Sequence, residues 1–412
     1  MLRIETLAIG DELLTGKTSD TNSSYVAGQL FARGARLEKT QTVLDDENEI
    51  LAALVEATQR CDFLICFGGL GPTSDDKTAE IIAKRLSTKV VEHPASREQL
   101  EAFAKKRNRV LTPALLKQVL YPQGTDALFN TVGLAPGFAC RLGRARCFFL
   151  PGVPAEMKAM FAAGVLPEIE RALEQSGLPK LFTHGWKCIG IPESELQRAM
   201  DPVEAALPPE AWLGYRTRYP ENHLTLYWKS LAQPADWAAR LKDISKRIAA
   251  YTYTDSQEEL ETLVLEGLRE KGWRLALAES CTGGLVAQRL TAIAGSSDVF
   301  WGSAVVYQVA AKKGLLGVDL KDPLDAVSAA CSRQLAEQLK AHSGAEVCAA
   351  ITGYMGPAGG TEADPVGTSY LCVLSPQGVF ERRIAHPSPG RLSNQSGAAT
   401  YLLHLILETL SR

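Results

Sequence analysis

The sequence predicts an α/β protein in three parts: a parallel-sheet domain, a small α+β unit, and a second α/β domain. Three observations carry that prediction. Strand-like and helix-like stretches alternate from Thr6 to Arg85, the pattern of a parallel sheet covered by helices on both faces. The run Leu173–Pro179 reads as a linker, and the character of the chain changes after it. The alternation resumes at Leu260. A length of 412 residues also exceeds what one core organises, since domains usually run about 100–200 residues. The expected boundaries are residues 1–172, 173–254 and 255–412.

The elements follow in order. Thr6–Ile9 is a strand running into Gly10-Asp11-Glu12. Asn22–Ala32 is a helix with Thr21 or Asn22 as its cap and Tyr25, Val26 and Leu30 on its apolar face. Arg36–Val43 is strand-like and Glu47–Arg60 helical. Phe63–Phe67 is a short buried strand ending at Gly68-Gly69-Leu70-Gly71, and Lys77–Arg85 is helical again. Phe148–Leu150 forms another strand, followed by a helix over Pro154–Ala162. In the middle unit, Leu181–Cys188, Trp212–Tyr215 and His223–Trp228 are strand-like, with helices at Glu193–Met200 and Ala235–Ala250. A second break falls near Tyr253–Gln257. Beyond it come a helix from Leu260 to Lys271, a strand Arg274–Ala278, a helix from Gly283 and a strand Ser303–Tyr307.

Composition narrows the function classes. The formal net charge of −3 supplies no global basic field for nucleic acid. Nine cysteines include no C-x-x-C pair, and several sit in apolar runs such as Phe63–Phe67. Reduced, buried thiols are expected. The N-terminus does not read as a signal peptide, and no apolar run approaches a membrane span of roughly 20 residues. A cytoplasmic protein without a membrane or nucleic-acid partner is expected.

Gly68-Gly69-Leu70-Gly71-Pro72-Thr73-Ser74-Asp75-Asp76-Lys77-Thr78 follows a buried strand and opens a helix. Glycines there let backbone N–H groups approach a phosphate, and a helix N-terminus adds a favourable dipole. Asp75 and Asp76 alone would repel that phosphate. They make sense with a divalent cation between, because Mg²⁺ bridges carboxylates and phosphate oxygens. Asp11 and Glu12 end another strand, and ligands collect at the carboxyl ends of parallel strands. Both acid clusters are therefore expected at one crevice. The plainer alternative is a tight turn and a helix cap. Neither G-x-G-x-x-G nor the P-loop pattern is present.

These residues, with Asp20-Thr21-Asn22, Ala135–Phe138 and Leu150–Met157, resemble the N-terminal domain of the CinA family, which is similar to molybdopterin-binding domains. The resemblance implies a pyrophosphatase acting on ADP-ribose and related dinucleotides with Mg²⁺, Mn²⁺ or Co²⁺. It implies Asp11, Glu12, Asp75 and Asp76 as metal ligands, and Gly68, Gly69, Gly71, Thr73 and Thr78 at the substrate. Asp76 and Thr78 match the acid and threonine of the shared loop. Leu115 stands where the family usually carries asparagine, three residues before the matching Gln118.

Ala278-Glu279-Ser280-Cys281-Thr282-Gly283-Gly284 joins a strand to a helix. A serine on a helix N-terminus has its alkoxide and a nearby oxyanion stabilised, and as a nucleophile it needs a base. None of the six histidines sits in a catalytic pattern. Tyr307 and Lys312 are the nearer bases, and burial lets a lysine serve. The plainer alternatives are a capping serine, a Glu279–Lys312 ion pair and a solvated lysine.

This stretch, with Gly295–Ser297, Tyr307 and Lys312, Leu316–Val318, Ala326–Ser328, Thr352-Gly353, Gly356-Pro357, Gly359-Gly360 and Pro365–Thr368, resembles the C-terminal CinA domain. The resemblance implies hydrolysis of nicotinamide mononucleotide to nicotinate mononucleotide and ammonia, with no cofactor. Ser280 is then the nucleophile, activated by Tyr307 and Lys312. Thr352 and Arg391 stabilise the oxyanion and bind the phosphate end, with Thr282, Gly283 and Gly284 at the substrate. Departures are Val309 in the usual Tyr-Ser-Asn, Asp325 in the usual Gly-Ala-Val-Ser, and Gln395 where a second arginine is usual. The middle unit carries Ile189–Leu196, matching a linking domain described as KH-like. It lacks the G-x-x-G loop of an RNA binder, so a spacer that also serves a homodimer is expected. Two rival functions stand beside this bifunctional reading. One is binding of a molybdopterin-type ligand by the N-terminal domain; the other is a non-enzymatic partner protein in competence or DNA damage.

Overall fold

The computed structural model describes every residue except 1, 74, 75, 107, 109, 321, 386, 387, 389 and 412. The chain divides into two compact units, Met1–Thr183 with Trp228–Ala235, and His184–Tyr227 with Asp236–Arg412.

The first unit is built on a six-stranded sheet. Leu37–Val43, Ile4–Ile9, Phe63–Phe67 and Ala145–Leu150 run parallel in that spatial order. Gly137–Leu142 and Asp126–Leu128 extend the sheet with antiparallel pairings. The parallel sheet expected from the alternation is therefore mixed at one edge. Only Gly143 and Arg144 separate two of these strands, and so short a connection joins only antiparallel neighbours. Ile4–Ile9 is buried at all of its positions, as a central strand covered on both faces must be. Its charged residue, Glu5, takes two Arg60 nitrogens at 2.7 Å, so the buried carboxylate has a bidentate partner. The helix Thr21–Phe31 is capped by Asp20, which accepts from the Ser23 N–H at 2.9 Å, and not by Thr21 or Asn22. Asn22 instead turns inward and donates to the Gly152 carbonyl at 2.8 Å. The stretch between Arg85 and Phe148, to which no elements were assigned from sequence, contains the helices Pro94–Lys106 and Pro113–Lys117 and a pair of short strands, Val90–Glu92 and Leu120–Pro122.

In the middle segment, Ala211–Arg218, Glu221–Ser230, Lys180–Ile189 and Thr252–Thr254 form a four-stranded sheet in that order, with the helices Glu193–Glu204 and Trp237–Ile248. The helix Leu166–Gln175 continues into the stretch expected as linker. At the C-terminal end, Phe300–Val305, Leu275–Glu279 and Val347–Gly353 are parallel neighbours, and Thr368–Ser375 and Gly378–Ala385 complete the sheet antiparallel. Helices Leu260–Lys271 and Arg391–Leu410 pack on one face; helix Ala329–Ser343 packs on the other. All nine cysteines are buried free thiols, as expected. Among the described residues no helix is long and apolar enough to cross a membrane.

Candidate active sites

Each unit carries a cleft at the carboxyl ends of its parallel strands. In the first unit the strand Phe63–Phe67 ends in Gly68 and Gly69, both with positive φ, at 107° and 66°. A Cβ on Gly68 would meet the Ile9 carbonyl oxygen at 2.2 Å, and one on Gly69 would meet the Thr78 hydroxyl at 2.0 Å. The loop backbone is thus pressed against its neighbours in a shape only glycine adopts. It lines a cleft of about 500 Å³ together with Glu12, Asp45, Asp76 and Glu156. The expectation that the two acid clusters meet holds for Glu12 and Asp76. Asp11 does not join them; it exchanges backbone-to-carboxylate hydrogen bonds with Asp45, at 3.0 and 3.2 Å, outside the cleft lining. Asp75 lies outside the described residues.

Thr73 and Thr78 do not line the cleft. The Thr73 backbone and hydroxyl both donate to the Asp76 carboxylate. Thr78 is fully buried and donates to the Gly68 carbonyl at 3.2 Å, so it staples the loop to the helix Thr78–Arg85 instead of facing a ligand. Lys117 donates to the Thr73 and Asp76 carbonyls at 2.6 Å and closes the loop from the other side. No group of three or more His, Cys, Asp or Glu side chains among the described residues comes together to hold a metal. The oxygen donors of Glu12 and Asp76 still fit a Mg²⁺-class ion, which takes one or two carboxylates and completes its shell with water and substrate phosphate.

In the second unit the strand Leu275–Glu279 delivers Ser280 to a cavity of about 260 Å³. Lys312 Nζ lies 2.8 Å from Ser280 Oγ and 2.9 Å from the Val306 carbonyl. At 1% exposure Lys312 is a buried amine, and no carboxylate among the described residues pairs with it. Burial holds its pKa below the ordinary lysine value, since desolvation disfavours the ammonium. The geometry chooses Lys312 over Tyr307 as the group facing the serine.

Two expectations need correcting. The serine does not sit on the helix N-terminus. Gly283 and Gly284 intervene with positive φ, and the helix begins at Leu285. The amides of Gly284, Val286 and Ala287 donate to Glu279 at 2.9–3.1 Å, joined by the hydroxyls of Thr282 and Ser303. Glu279 therefore takes the helix start and does not pair with Lys312. Its five donors satisfy a fully buried carboxylate. Thr282, Gly283 and Gly284 are not in the lining of the cavity.

Tyr307 is exposed and accepts from Arg391 Nη2 at 2.7 Å, while Arg391 Nη1 donates to the Gly356 carbonyl at 2.7 Å. These two side chains form one rim of the cavity. The Thr352 hydroxyl lines it but donates to the Ala326 carbonyl at 2.7 Å. Val309 begins the helix Val309–Leu316, Asp325 lies on an exposed turn, and neither lines the cavity. Gln395 reaches the Cys281 carbonyl at 2.9 Å and so tethers the residue after the nucleophile. Of the four departures only Leu115 lines a cleft.

Sequence reasoning missed Asp45 in the first cleft and Tyr354 and Met355 in the second; Gln118, Glu156 and Cys281 stood inside the motifs that carry the resemblance but were given no role. Cys281 is the neighbour of Ser280; burial pushes its thiol up to about 12, so it is no competing nucleophile. Asp45, Tyr354 and Met355 come from segments that no motif marked.

Comparison with known proteins matches residues 5–171 to a probable molybdopterin binding domain and residues 257–410 to the CinA C-terminal domain. The CinA-like protein of Citrifermentans bemidjiense is 40% identical over 385 residues, covering 90% of this chain and 89% of that protein. The CinA-like protein of Myxococcus xanthus is 40% identical over 389 residues, covering 92% and 91%. The crystal structure of the protein CinA from Thermoplasma acidophilum aligns with 32% identity and a TM-score of 0.37, over 41% of this chain and 97% of that one.

Proposed function

This chain belongs to the CinA-like family, and from that premise we propose that its C-terminal site hydrolyses the carboxamide of nicotinamide mononucleotide. The observation that carries the proposal is the buried Lys312–Ser280 hydrogen bond at 2.8 Å. Neutral Lys312 takes the Ser280 hydroxyl proton as Oγ attacks the amide carbon. The tetrahedral adduct collapses, the C–N bond breaks, and the proton held by Lys312 leaves with ammonia. Water, deprotonated by the same amine, then attacks the acyl-serine, and nicotinate mononucleotide departs with Ser280 reprotonated. Arg391, oriented by Tyr307 and Gly356, supplies the cation for the phosphate end. Purified chain given nicotinamide mononucleotide is expected to release ammonia steadily, and Ser280→Ala protein to release none. Ammonia at the wild-type rate from Ser280→Ala would remove the nucleophile assignment.

The N-terminal cleft supports a second activity, cleavage of the pyrophosphate of ADP-ribose. Its glycine loop offers backbone to phosphate, and Glu12 and Asp76 are the residues that would hold a Mg²⁺, Mn²⁺ or Co²⁺ ion. Such an ion, when bound, neutralises charge on the phosphate oxygens. Phosphate-ester products from ADP-ribose across a metal panel test this reading. Absence of turnover with every metal leaves the molybdopterin-type ligand as the reading of this cleft. A non-enzymatic role is disfavoured by the assembled Ser280–Lys312 pair, because a buried lysine kept without an acid partner is an expensive feature for a protein that performs no chemistry. A homodimer in the cytoplasm completes the proposal, and light scattering on the purified chain tests the oligomeric state.

A further inference from the structure

The helix Arg391–Leu410 builds much of the C-terminal cavity with its first turn. Arg391 donates to the Gly356 carbonyl and the Tyr307 hydroxyl, Asn394 to the Met355 carbonyl at 3.1 Å, and Gln395 to the Cys281 carbonyl at 2.9 Å. Tyr307, Cys281 and the Met355–Gly356 stretch all line the cavity, so three of its walls hang on one helical turn. Asn394, Gly397, Tyr401 and His404 follow at intervals of three and four and share one face of that helix. Two aromatic side chains of the middle segment pack on that face. Tyr219 and Pro220 alone join the strands Ala211–Arg218 and Glu221–Ser230, and a Cβ on Gly397 would come within 2.5 Å of Tyr219 Cε1. Tyr253, from the strand Thr252–Thr254, holds its ring 5.8 Å from that of His404. Both aromatics are tied down. Buried Glu221 accepts from the Tyr253 hydroxyl, and Arg218, just before Tyr219, pairs with Glu259 at 3.1 Å. Glycine weakens a helix interior; what it gives at position 397 is room for the ring.

We propose that the middle segment braces the amidase site, with Tyr219 as a positioning residue that acts through Gly397. The inference rests on the amidase reading of the C-terminal cavity. Gly397 is two residues from Gln395 and six from Arg391, about 3 and 9 Å along the axis at the helical rise. A ring seated on Gly397 limits how far the first turn slides or tilts. It thereby sets where the Cys281 and Met355 carbonyls and the Arg391 guanidinium stand.

The test is steady-state ammonia release from nicotinamide mononucleotide by the full chain, well below each variant's melting temperature. Tyr219→Ala should lower kcat and raise KM, with kcat/KM falling roughly tenfold, inside the hundredfold that a misplacement of about 1 Å can cost. Tyr219→Phe keeps the ring and should keep wild-type values. Gly397→Ala puts a methyl group where the ring sits and should fall as far as Tyr219→Ala. The double variant should fall no further than either single one, because both remove the same contact. A side chain that only stabilised the fold would lower the melting temperature and leave kcat and KM of the folded protein unchanged. Wild-type kinetics in Tyr219→Ala, a loss in Tyr219→Phe as large as in Tyr219→Ala, or losses that multiply in the double variant overturn the brace and leave the amidase reading standing. If the wild-type chain releases no ammonia, the amidase reading falls, and hydrogen exchange decides the brace on the helix separately. Faster exchange of the amides over 394–401 in Tyr219→Ala sustains it, and unchanged exchange overturns it.

Discussion

The two clefts handle charge in opposite ways. The N-terminal cleft is lined by Glu12, Asp45, Asp76 and Glu156, with no lysine, arginine or histidine in its described lining. The C-terminal cavity is about half that volume, is lined by Lys312 and Arg391, and has no carboxylate in its described lining. The lining of the second suits an anionic ligand without further help. The first can hold a phosphate only if something offsets its acids. The contrast is what leads us to propose a self-contained reaction at one end of the chain and a cation-assisted one at the other.

The sharpest way to break that contrast is Lys312→Met, which replaces the amine with an apolar group of similar length. Ammonia release from nicotinamide mononucleotide is expected to fall by about 10²–10⁴, the usual worth of a positioned proton acceptor. Turnover of ADP-ribose should stay at its wild-type rate. A parallel fall in both activities would mean that the two ends do not act separately.

Chelation by EDTA runs the experiment the other way. Phosphate-ester release from ADP-ribose should drop to background and return with added Mg²⁺ or Mn²⁺, while ammonia release is unchanged. Loss of ammonia release on chelation would show that the cationic cavity is not self-sufficient.

The pH profile sharpens the comparison further. Lys312 acts as a base only when neutral, and burial places its pKa below the ordinary lysine value near 10.4. The ammonia-releasing kcat/KM should therefore rise about tenfold per pH unit up to that depressed pKa and level off above it. Between the depressed and ordinary values the unfolded chain binds more protons than the folded one, so stability from this group also rises with pH there. Lys312→Met should lose the rising limb.

The smallest expected effect is at the rim. Tyr307→Phe removes the hydroxyl that accepts from Arg391. KM for nicotinamide mononucleotide should rise about threefold to tenfold, the range of one hydrogen bond, with kcat nearly unchanged. A large fall in kcat instead would return Tyr307 to the role of proton acceptor.

Much of this was readable before any coordinates. Gly68 and Gly69 stand at a strand end where only glycine fits the backbone, and Ser280 stands at the end of the strand Leu275–Glu279. Local rules of strand, turn and helix reach that far. They misjudged Ser280 as a helix-start residue because Glu279, its neighbour, claims the same amides, and a one-residue difference in where a strand ends is invisible to periodicity. The family resemblance cast Thr78 as a ligand contact, although its hydroxyl is consumed by the loop it follows.

By itself, then, the sequence determined the alternating architecture, the two strand-end loops and the residue types able to carry chemistry there, because each of these depends on neighbours a few positions away. The tertiary structure decided which of those residues meet. It placed Lys312 against Ser280 across 32 positions, tied Asp11 to Asp45 and left it out of the cleft lining, and brought Gln118 and Glu156 to the wall that Gly68 begins. Hydrogen bonds and desolvation act through space, and a residue's partner across a cleft leaves no mark on the spacing along the chain.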